Sequence, residues 1–209
     1  MLFRSNVDIA GAAVTLDVFT GINCANTLYT GISAGSTDAS GNYSFLAGGS
    51  PLGTYSVIAH TPSPLGTVTS NCTNIIVQGQ VATGTLDSAD SDGITASLPL
   101  AGSYEIDVSG TWQNGPWWLV DPEFVQQMDG GGNVGTTLTW LDSWPGFAPA
   151  DFGDVMVNSV FIDWGTLNET THAYSHTGSY SGSVNLAVFD SYYGDNDGSL
   201  NYTITYVGP

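Results

Sequence analysis

The sequence predicts an all-β protein built from two antiparallel β-sandwich domains. Ser, Thr, Tyr and Val recur in short runs, and no long apolar stretch repeats at helical period. Gly is abundant, with 27 residues, and turn-forming residues separate the runs. Only three of the 19 acidic residues precede residue 87. Two compositions along one chain indicate two domains with different roles.

The charge of the chain excludes several classes of partner. One basic residue stands against 19 acidic ones, which gives a net charge of −18. Nucleic acid and anionic membranes would repel such a chain, because both are bound through Lys and Arg. Metal cations are its natural counter-ions, although the same charge is also explained by solubility alone.

A first domain is predicted at residues 1–86. Its strands are indicated by the runs IAGAAVTLDVF, TDASGNYSFLAG, PLGTYSVIAHTP and NIIVQGQVATGTL. These runs resemble the prealbumin-like repeat domains of surface proteins, of the Cna-B and SdrD-B type, at residues 11–16, 37–45 and 53–57. The resemblance implies a spacer or stalk module. In addition, SNVDIAGAAVTLDVF is a candidate donor strand for a neighbouring subunit in a fibre.

The cysteines and sequons indicate an extracellular protein. Cys24 and Cys72 are the two cysteines, and an even count in a chain rich in Gly, Ser and Thr predicts one disulfide. Two free thiols are the alternative. Four Asn-x-Ser/Thr sequons mark candidate glycosylation sites at Asn42, Asn71, Asn168 and Asn201. Some Cna-B-type domains carry a Lys–Asn cross-link, but this chain has no Lys, so a disulfide would replace it.

The start of the chain bears on where the protein acts. Leu2-Phe3-Arg4-Ser5 is what the end of a common sequencing adapter spells when translated, which indicates a gene truncated upstream. Residues 1–5 are then not native, and the missing signal peptide says nothing about location. The competing interpretation is a genuine start with secretion by another route.

Residues 87–97 are predicted to be an acidic linker. Asp87, Asp90 and Asp92 precede Gly93 in a polar turn. A solvated linker is favoured over a weak calcium site, because the full pattern of a calcium-binding loop between two helices is missing.

The second domain is predicted at residues 98–209, as a sandwich or jelly roll. Its strands are indicated by SYEIDVSGTW, TTLTWL, DVMVNSVFIDW, GSVNLAVFD and SLNYTITYV. In the first of these runs, Tyr104, Ile106 and Val108 fall on one face. The segments VSGTWQNGPWW and SGSVNLAVFDSYYGDNDGSLNYTI resemble the calcium-dependent galactophilic lectins of the PA-IL type.

The resemblance implies a calcium site near the C-terminus. Asp190, Asp195 and Asn196 match the side-chain ligand positions, and Asn114 falls at the position of a backbone-carbonyl ligand. Asp197 adds a third carboxylate to the loop, and calcium takes six to eight oxygen ligands. The loop is shorter than in that family, which leaves a Thr ligand unmatched, and the family's His and Gln sugar contacts are absent. Calcium is therefore better supported than galactose, and a plain hydrophilic hairpin remains the alternative.

All six tryptophans lie in the second half of the chain. Exposed Trp beside acids and amides is a sugar-stacking surface in many binding modules, and Trp is equally a core residue. Trp112, Trp117 and Trp118 are the candidate glycan contacts, because neighbouring residues 117 and 118 cannot both point inward on a strand. Alternation places Trp140 in the core.

Catalysis is not expected. His172 and His176 are four residues apart but lie in a loop or strand, and no Gly-x-Ser-x-Gly motif occurs. The sequence therefore predicts a non-catalytic extracellular structural or adhesive protein, a subunit of a surface fibre with a calcium-stabilised lectin-like domain. The alternative is a calcium-dependent carbohydrate-binding module of a secreted enzyme or adhesin. Self-association and glycans are the expected partners.

Overall fold

The computed structural model describes residues 2–4, 10–40, 42–44, 50–63, 66–128, 140 and 153–209, with side chains for all but 2–4 and 42–44. Nearly all regular secondary structure in the described residues is antiparallel strand, which confirms the predicted all-β class. It divides into two compact units: unit 1 is Met1–Gln78 with Gly208–Pro209, and unit 2 is Gly79–Val207. No helix in the described part of the chain is long and apolar enough to cross a membrane.

Unit 1 contains one five-stranded sheet and a separate strand pair. Its strands are β1 (Leu2–Arg4), β2 (Ala13–Thr20), β3 (Asn26–Ser36), β4 (Asn42–Ser44), β5 (Gly53–Ser63), β6 (Gly66–Thr69) and β7 (Thr73–Val77). The sheet runs in the order β3-β2-β5-β6, β7 pairs with the first half of β5, and β1 pairs with β4. The predicted strand within TDASGNYSFLAG lies largely outside the described residues.

The buried face of unit 1 is small. Val14 and Leu16 alternate on β2 and pack with Val18, Ala34 and Ala59. The structure confirms the predicted Cys24–Cys72 disulfide, which joins the turn between β2 and β3 to the segment just before β7. Within the candidate donor strand, residues 5–9 lie outside the described residues, and β2 lies between β3 and β5 of its own chain. Two flanking strands already satisfy its backbone hydrogen bonds.

The described part of unit 2 contains two sheets, of seven and four strands. Its strands are β8 (Gly79–Asp87), β9 (Ile94–Ser97), β10 (Gly102–Ser109), β11 (Trp112–Asn114), β12 (Trp118–Val120), β13 (Val125–Gln127), β14 (Val155–Val157), β15 (Val160–Phe161), β16 (Ala173–Tyr180), β17 (Ser183–Val188) and β18 (Asn196–Gly208). One sheet has the order β13-β12-β11-β18-β10-β16, with β8 also paired to β18. The other has the order β15-β14-β17-β9.

The core of unit 2 follows the period-two alternation of its strands. Tyr104, Ile106 and Val108 on β10 are buried, as the sequence predicted. Val184 and Leu186 on β17 are the buried side chains contributed by the other sheet of unit 2. A face buried along several strands is what fixes the register of an antiparallel sheet.

The structure differs from the predicted boundaries between the two parts of the chain. Strand β8 was assigned to the first sandwich at residues 1–86, but it pairs along its length with β18 of unit 2. The predicted linker 87–97 contains β9, which pairs with β17. Alternating polar and apolar residues predict a strand but do not show which strand it pairs with. The partners of β8 and β9 lie about 100 residues away in the sequence. That the units are independent domains stays a prediction.

Candidate cation and carbohydrate site

The candidate site is formed where β17 ends and β18 begins. Asp190 follows β17, a 3-10 turn spans Tyr193–Asp195, and Asn196 is the first residue of β18. Strand β18 pairs with β11, and this register sets Asn196 directly opposite Asn114. Directly paired residues on antiparallel strands present their side chains on the same face. The fold thus brings together residues about 80 positions apart in the sequence.

Not all five predicted ligands share that face. Asn114 and Asp190 are buried, Asn196 is half-buried, and Asp195 and Asp197 are exposed. Asp197 follows Asn196 on β18 and therefore points to the opposite face. In the described residues no three His, Cys, Asp or Glu side chains gather as a metal-binding group. Because side chains alternate along β18, the carboxylate of Asp197 points away from the face that carries Asn196. The three carboxylates of the loop are therefore less crowded than the sequence suggested.

Four buried polar atoms at this junction have no hydrogen-bond partner among the described residues. They are Asp190 Oδ2, Asn196 Oδ1, Asn114 Nδ2 and Trp112 Nε1. Asn196 Nδ2 donates to the Ser88 carbonyl at 2.8 Å, which fixes its amide so that Oδ1 is the unpaired atom. Each buried acceptor left without a partner costs about 1–3 kcal/mol, and more when it is charged. A bound cation would remove that cost.

The two unpaired oxygens, Asp190 Oδ2 and Asn196 Oδ1, fit an oxygen-coordinated cation, whereas Trp112 Nε1 is a donor and takes no part in it. Asp190 uses Oδ1 to accept the Ser191 N–H at 2.6 Å, which leaves Oδ2 free to bind an ion. Asn196 supplies a neutral oxygen, and rotation of the Asn114 amide by half a turn would present an oxygen instead of Nδ2. Calcium accepts carboxylate, amide and water oxygens together. The residues that would hold it are Asp190, Asn196 and Asn114.

Two exposed aromatic rings flank this junction. The Gly115 N–H donates to the Asp195 carbonyl at 3.1 Å, which joins the turn after β11 to the 3-10 turn. Trp117 lies in the turn after β11, with 52% of its surface exposed. Tyr192 lies just before the 3-10 turn, with 66% of its surface exposed. A Cβ on Gly115 would lie 3.0 Å from Asp195 Oδ2, so glycine permits the close approach of the two turns.

The candidate glycan contacts divide by burial. Trp117 is exposed, and Trp118 is partly buried. Trp112 is only 1% exposed, so it is a core residue and presents no ring face to a sugar. Its side chain lies on the buried face of β11, a direction the short run GTWQN does not reveal. Tyr192 was missed because a tyrosine in an acidic turn carries no pattern that marks exposure.

A second polar cluster surrounds the fully buried Asp121. Its Oδ1 accepts the N–H groups of Glu123 and Phe124 at 2.9 and 2.6 Å. Its Oδ2 accepts His172 Nδ1 at 2.8 Å and the Tyr174 hydroxyl at 2.7 Å. Burial and the hydrogen bond to Asp121 raise the pKa of Tyr174, which therefore remains a donor. The cluster ties the segment after β12 to the start of β16.

The two histidines have separate environments. His172 has a positive φ of 46° and its ring lies 4.8 Å from that of Trp140, which is half-buried rather than fully in the core. Burial lowers the pKa of His176, whose ring packs against Trp164. Trp144 and most of TTLTWL lie outside the described residues.

The sequons occupy different settings. Asn71 and Asn201 are exposed, and Asn168 is half-buried with its amide donating to Thr171 at 2.7 Å. The side chain of Asn42 lies outside the described residues. Exposed asparagines on strands and turns are the more accessible acceptors for a glycan.

Comparison with protein-family models, curated proteins and solved structures found no match. The interpretation of the site therefore rests on its own geometry.

Proposed function

We propose that this protein is a non-catalytic extracellular adhesive protein that binds calcium where β11 meets β18 and carbohydrate on the aromatic surface beside it. The observation that carries the proposal is the set of buried polar atoms without partners, centred on Asp190 Oδ2 and Asn196 Oδ1. A buried carboxylate oxygen is costly without a counter-ion, and the chain has one Arg and no Lys against 19 acidic residues. A divalent cation is the simplest counter-ion.

The aromatic rings support carbohydrate as the ligand. Trp117 and Tyr192 are large, exposed and carried by the two turns that meet at the candidate cation site. Aromatic faces pack against the apolar face of a sugar ring, and exposed amides and carboxylates accept hydrogen bonds from its hydroxyl groups. Calcium would order both turns and so hold the two rings in place.

Calcium is expected to raise the melting temperature of the protein by roughly 5–10 °C at a concentration about 100 times its dissociation constant, because it binds only the folded state. EDTA should reverse the shift. Asp190→Asn keeps the acceptor for Ser191 but removes the charge, so it should abolish the calcium response. The same change should stabilise the calcium-free protein, since an uncompensated buried charge is lost. Differential scanning calorimetry measures both effects.

Asp197→Asn is the matched control for that experiment. It makes the same change of charge on the opposite face of β18, at an exposed position. Its calcium response should equal that of the original protein. Equal loss of the response in both variants, or no response in the original, would contradict the cation site.

Carbohydrate binding is tested on a glycan array with calcium and with EDTA. Trp117→Ala and Tyr192→Ala should each weaken any calcium-dependent binding about tenfold, because truncating a central aromatic contact costs more than about 1 kcal/mol. Val160→Ala, an exposed apolar change in the same unit, serves as the control. An array without a calcium-dependent signal would remove carbohydrate from the proposal and leave the cation site standing.

A fibre subunit is the second candidate function. An exposed edge of β3 in unit 1 would supply one of the two contacts that a filament needs, and a second contact on another surface would extend it. Electron microscopy of the protein with calcium and with EDTA tests it, and regular filaments are the expected result. Dispersed particles in both conditions would contradict a fibre.

A further inference from the structure

Strand β3 is a long edge strand with little cover on either face. It spans eleven residues, and Leu28 and Tyr29, which point to opposite faces, are 41% and 58% exposed. Among the described strands of unit 1, β3 pairs only with β2, so none of them satisfies the N–H and C=O groups of its other edge. Such an edge is a template for pairing with another strand.

The edge of β3 also lacks the charges that commonly protect such strands. Residues 18–37 contain no acidic or basic side chain, although the whole chain has a net charge of −18. Asp17 on the neighbouring β2 has a carboxylate that accepts the Gly31 N–H at 2.8 Å and contacts His60 Nε2 at 3.0 Å. Both carboxylate oxygens of Asp17 are therefore hydrogen-bonded within the sheet. Three register irregularities in the β2–β3 pairing twist the edge but do not cover it.

The charge distribution selects the partner. Sixteen of the 19 acids follow residue 86, so two copies repel each other strongly through unit 2. A contact made through β3 brings no like charges together within the paired strands, because β3 itself is uncharged. A strand of the same length and neutrality is available on every copy, and antiparallel pairing of two identical strands is closed by a two-fold axis.

We propose that β3 pairs antiparallel with β3 of a second copy, which joins two five-stranded sheets into one continuous sheet. Main-chain hydrogen bonds provide the contact, and Leu28 and Tyr29 add side-chain area on the two faces. Each copy uses its edge once, so the product is a dimer. The proposal does not depend on calcium or carbohydrate binding, because the candidate cation site belongs to unit 2.

Sedimentation velocity over a wide range of protein concentration tests the dimer. The original protein should form a dimer that strengthens as salt screens the repulsion between copies. Tyr29→Glu places like charges on the paired strands and should weaken dimerisation about tenfold or more. Ile76→Glu makes the same kind of change at an exposed position on β7 and should leave the dimer intact.

Three results would overturn the proposal. A monomer at every concentration excludes the pairing, and equal effects of the two variants exclude β3 as its site. Dispersal of the dimer by EDTA would place the contact at the cation site instead. The melting temperatures of both variants are compared with that of the original protein. If they are similar, loss of the dimer is due to the change at the β3 edge and not to unfolding.

Discussion

Replacing both Cys24 and Cys72 with serine is expected to unfold unit 1 while unit 2 stays folded. The disulfide closes a separation of 48 residues, and the chain-entropy model assigns such a loop about 4 kcal/mol of stability. Unit 1 has little else to offset the loss. Its described buried apolar residues are only Val14, Leu16, Phe19 and Val57.

The tryptophans make the two units separately observable. All six lie after residue 111, so their fluorescence reports on unit 2, whereas far-ultraviolet circular dichroism reports on strands of both. The double serine variant should lose part of its circular dichroism signal and become sensitive to proteases before residue 79. Its fluorescence transition in urea should not move. A shared shift of both transitions would show that the units fold as one, and an unchanged protein would show that the disulfide is dispensable.

Asp121→Ala is expected to destabilise unit 2 by about 3–5 kcal/mol, because it removes the charge that organises a buried cluster. Four hydrogen bonds end on this carboxylate, from two backbone N–H groups, His172 and Tyr174. Their donors would be left buried without an acceptor. Tyr174→Phe, which removes one donor only, should cost about 1 kcal/mol. Urea unfolding followed by tryptophan fluorescence measures both changes.

Asp163→Ala is the control for the Asp121 variant. Asp163 is exposed in the same unit, and its carboxylate accepts one backbone N–H, from Gly165 at 2.9 Å. Its loss should cost no more than about 1 kcal/mol. If Asp121→Ala costs no more than this control, the cluster is not the structural anchor that its hydrogen bonds indicate.

Several features follow from short stretches of sequence and could be predicted. The alternation of Tyr104, Ile106 and Val108 predicted a buried strand face, and all three are buried. The two cysteines predicted a disulfide, which is present. The strand was predictable because its pattern lies within a few neighbouring residues. The disulfide was predictable because paired cysteines in such a chain have one dominant role.

The candidate site was only partly predictable. The carboxylates and amides of residues 190–197 indicated a cation, but the sequence treated Asp195, Asn196 and Asp197 alike. Pairing of β11 with β18 decided that Asn196 faces Asn114 and that Asp197 does not. Trp112 was assigned to a sugar because burial cannot be read from one residue. Tyr192 and the Asp121 cluster were missed because their contacts join distant segments.

The sequence by itself determined the all-β class, the strong negative charge, the disulfide and the loop in which a cation site was sought. Periodicity, composition and turn chemistry are local, and they are largely independent of which strands become neighbours. The tertiary structure alone decided that β8 pairs with β18, that Trp112 is buried while Trp117 and Tyr192 are exposed, and which polar atoms lack partners. These outcomes depend on register between distant strands, because a shift of one residue reverses the face of every side chain.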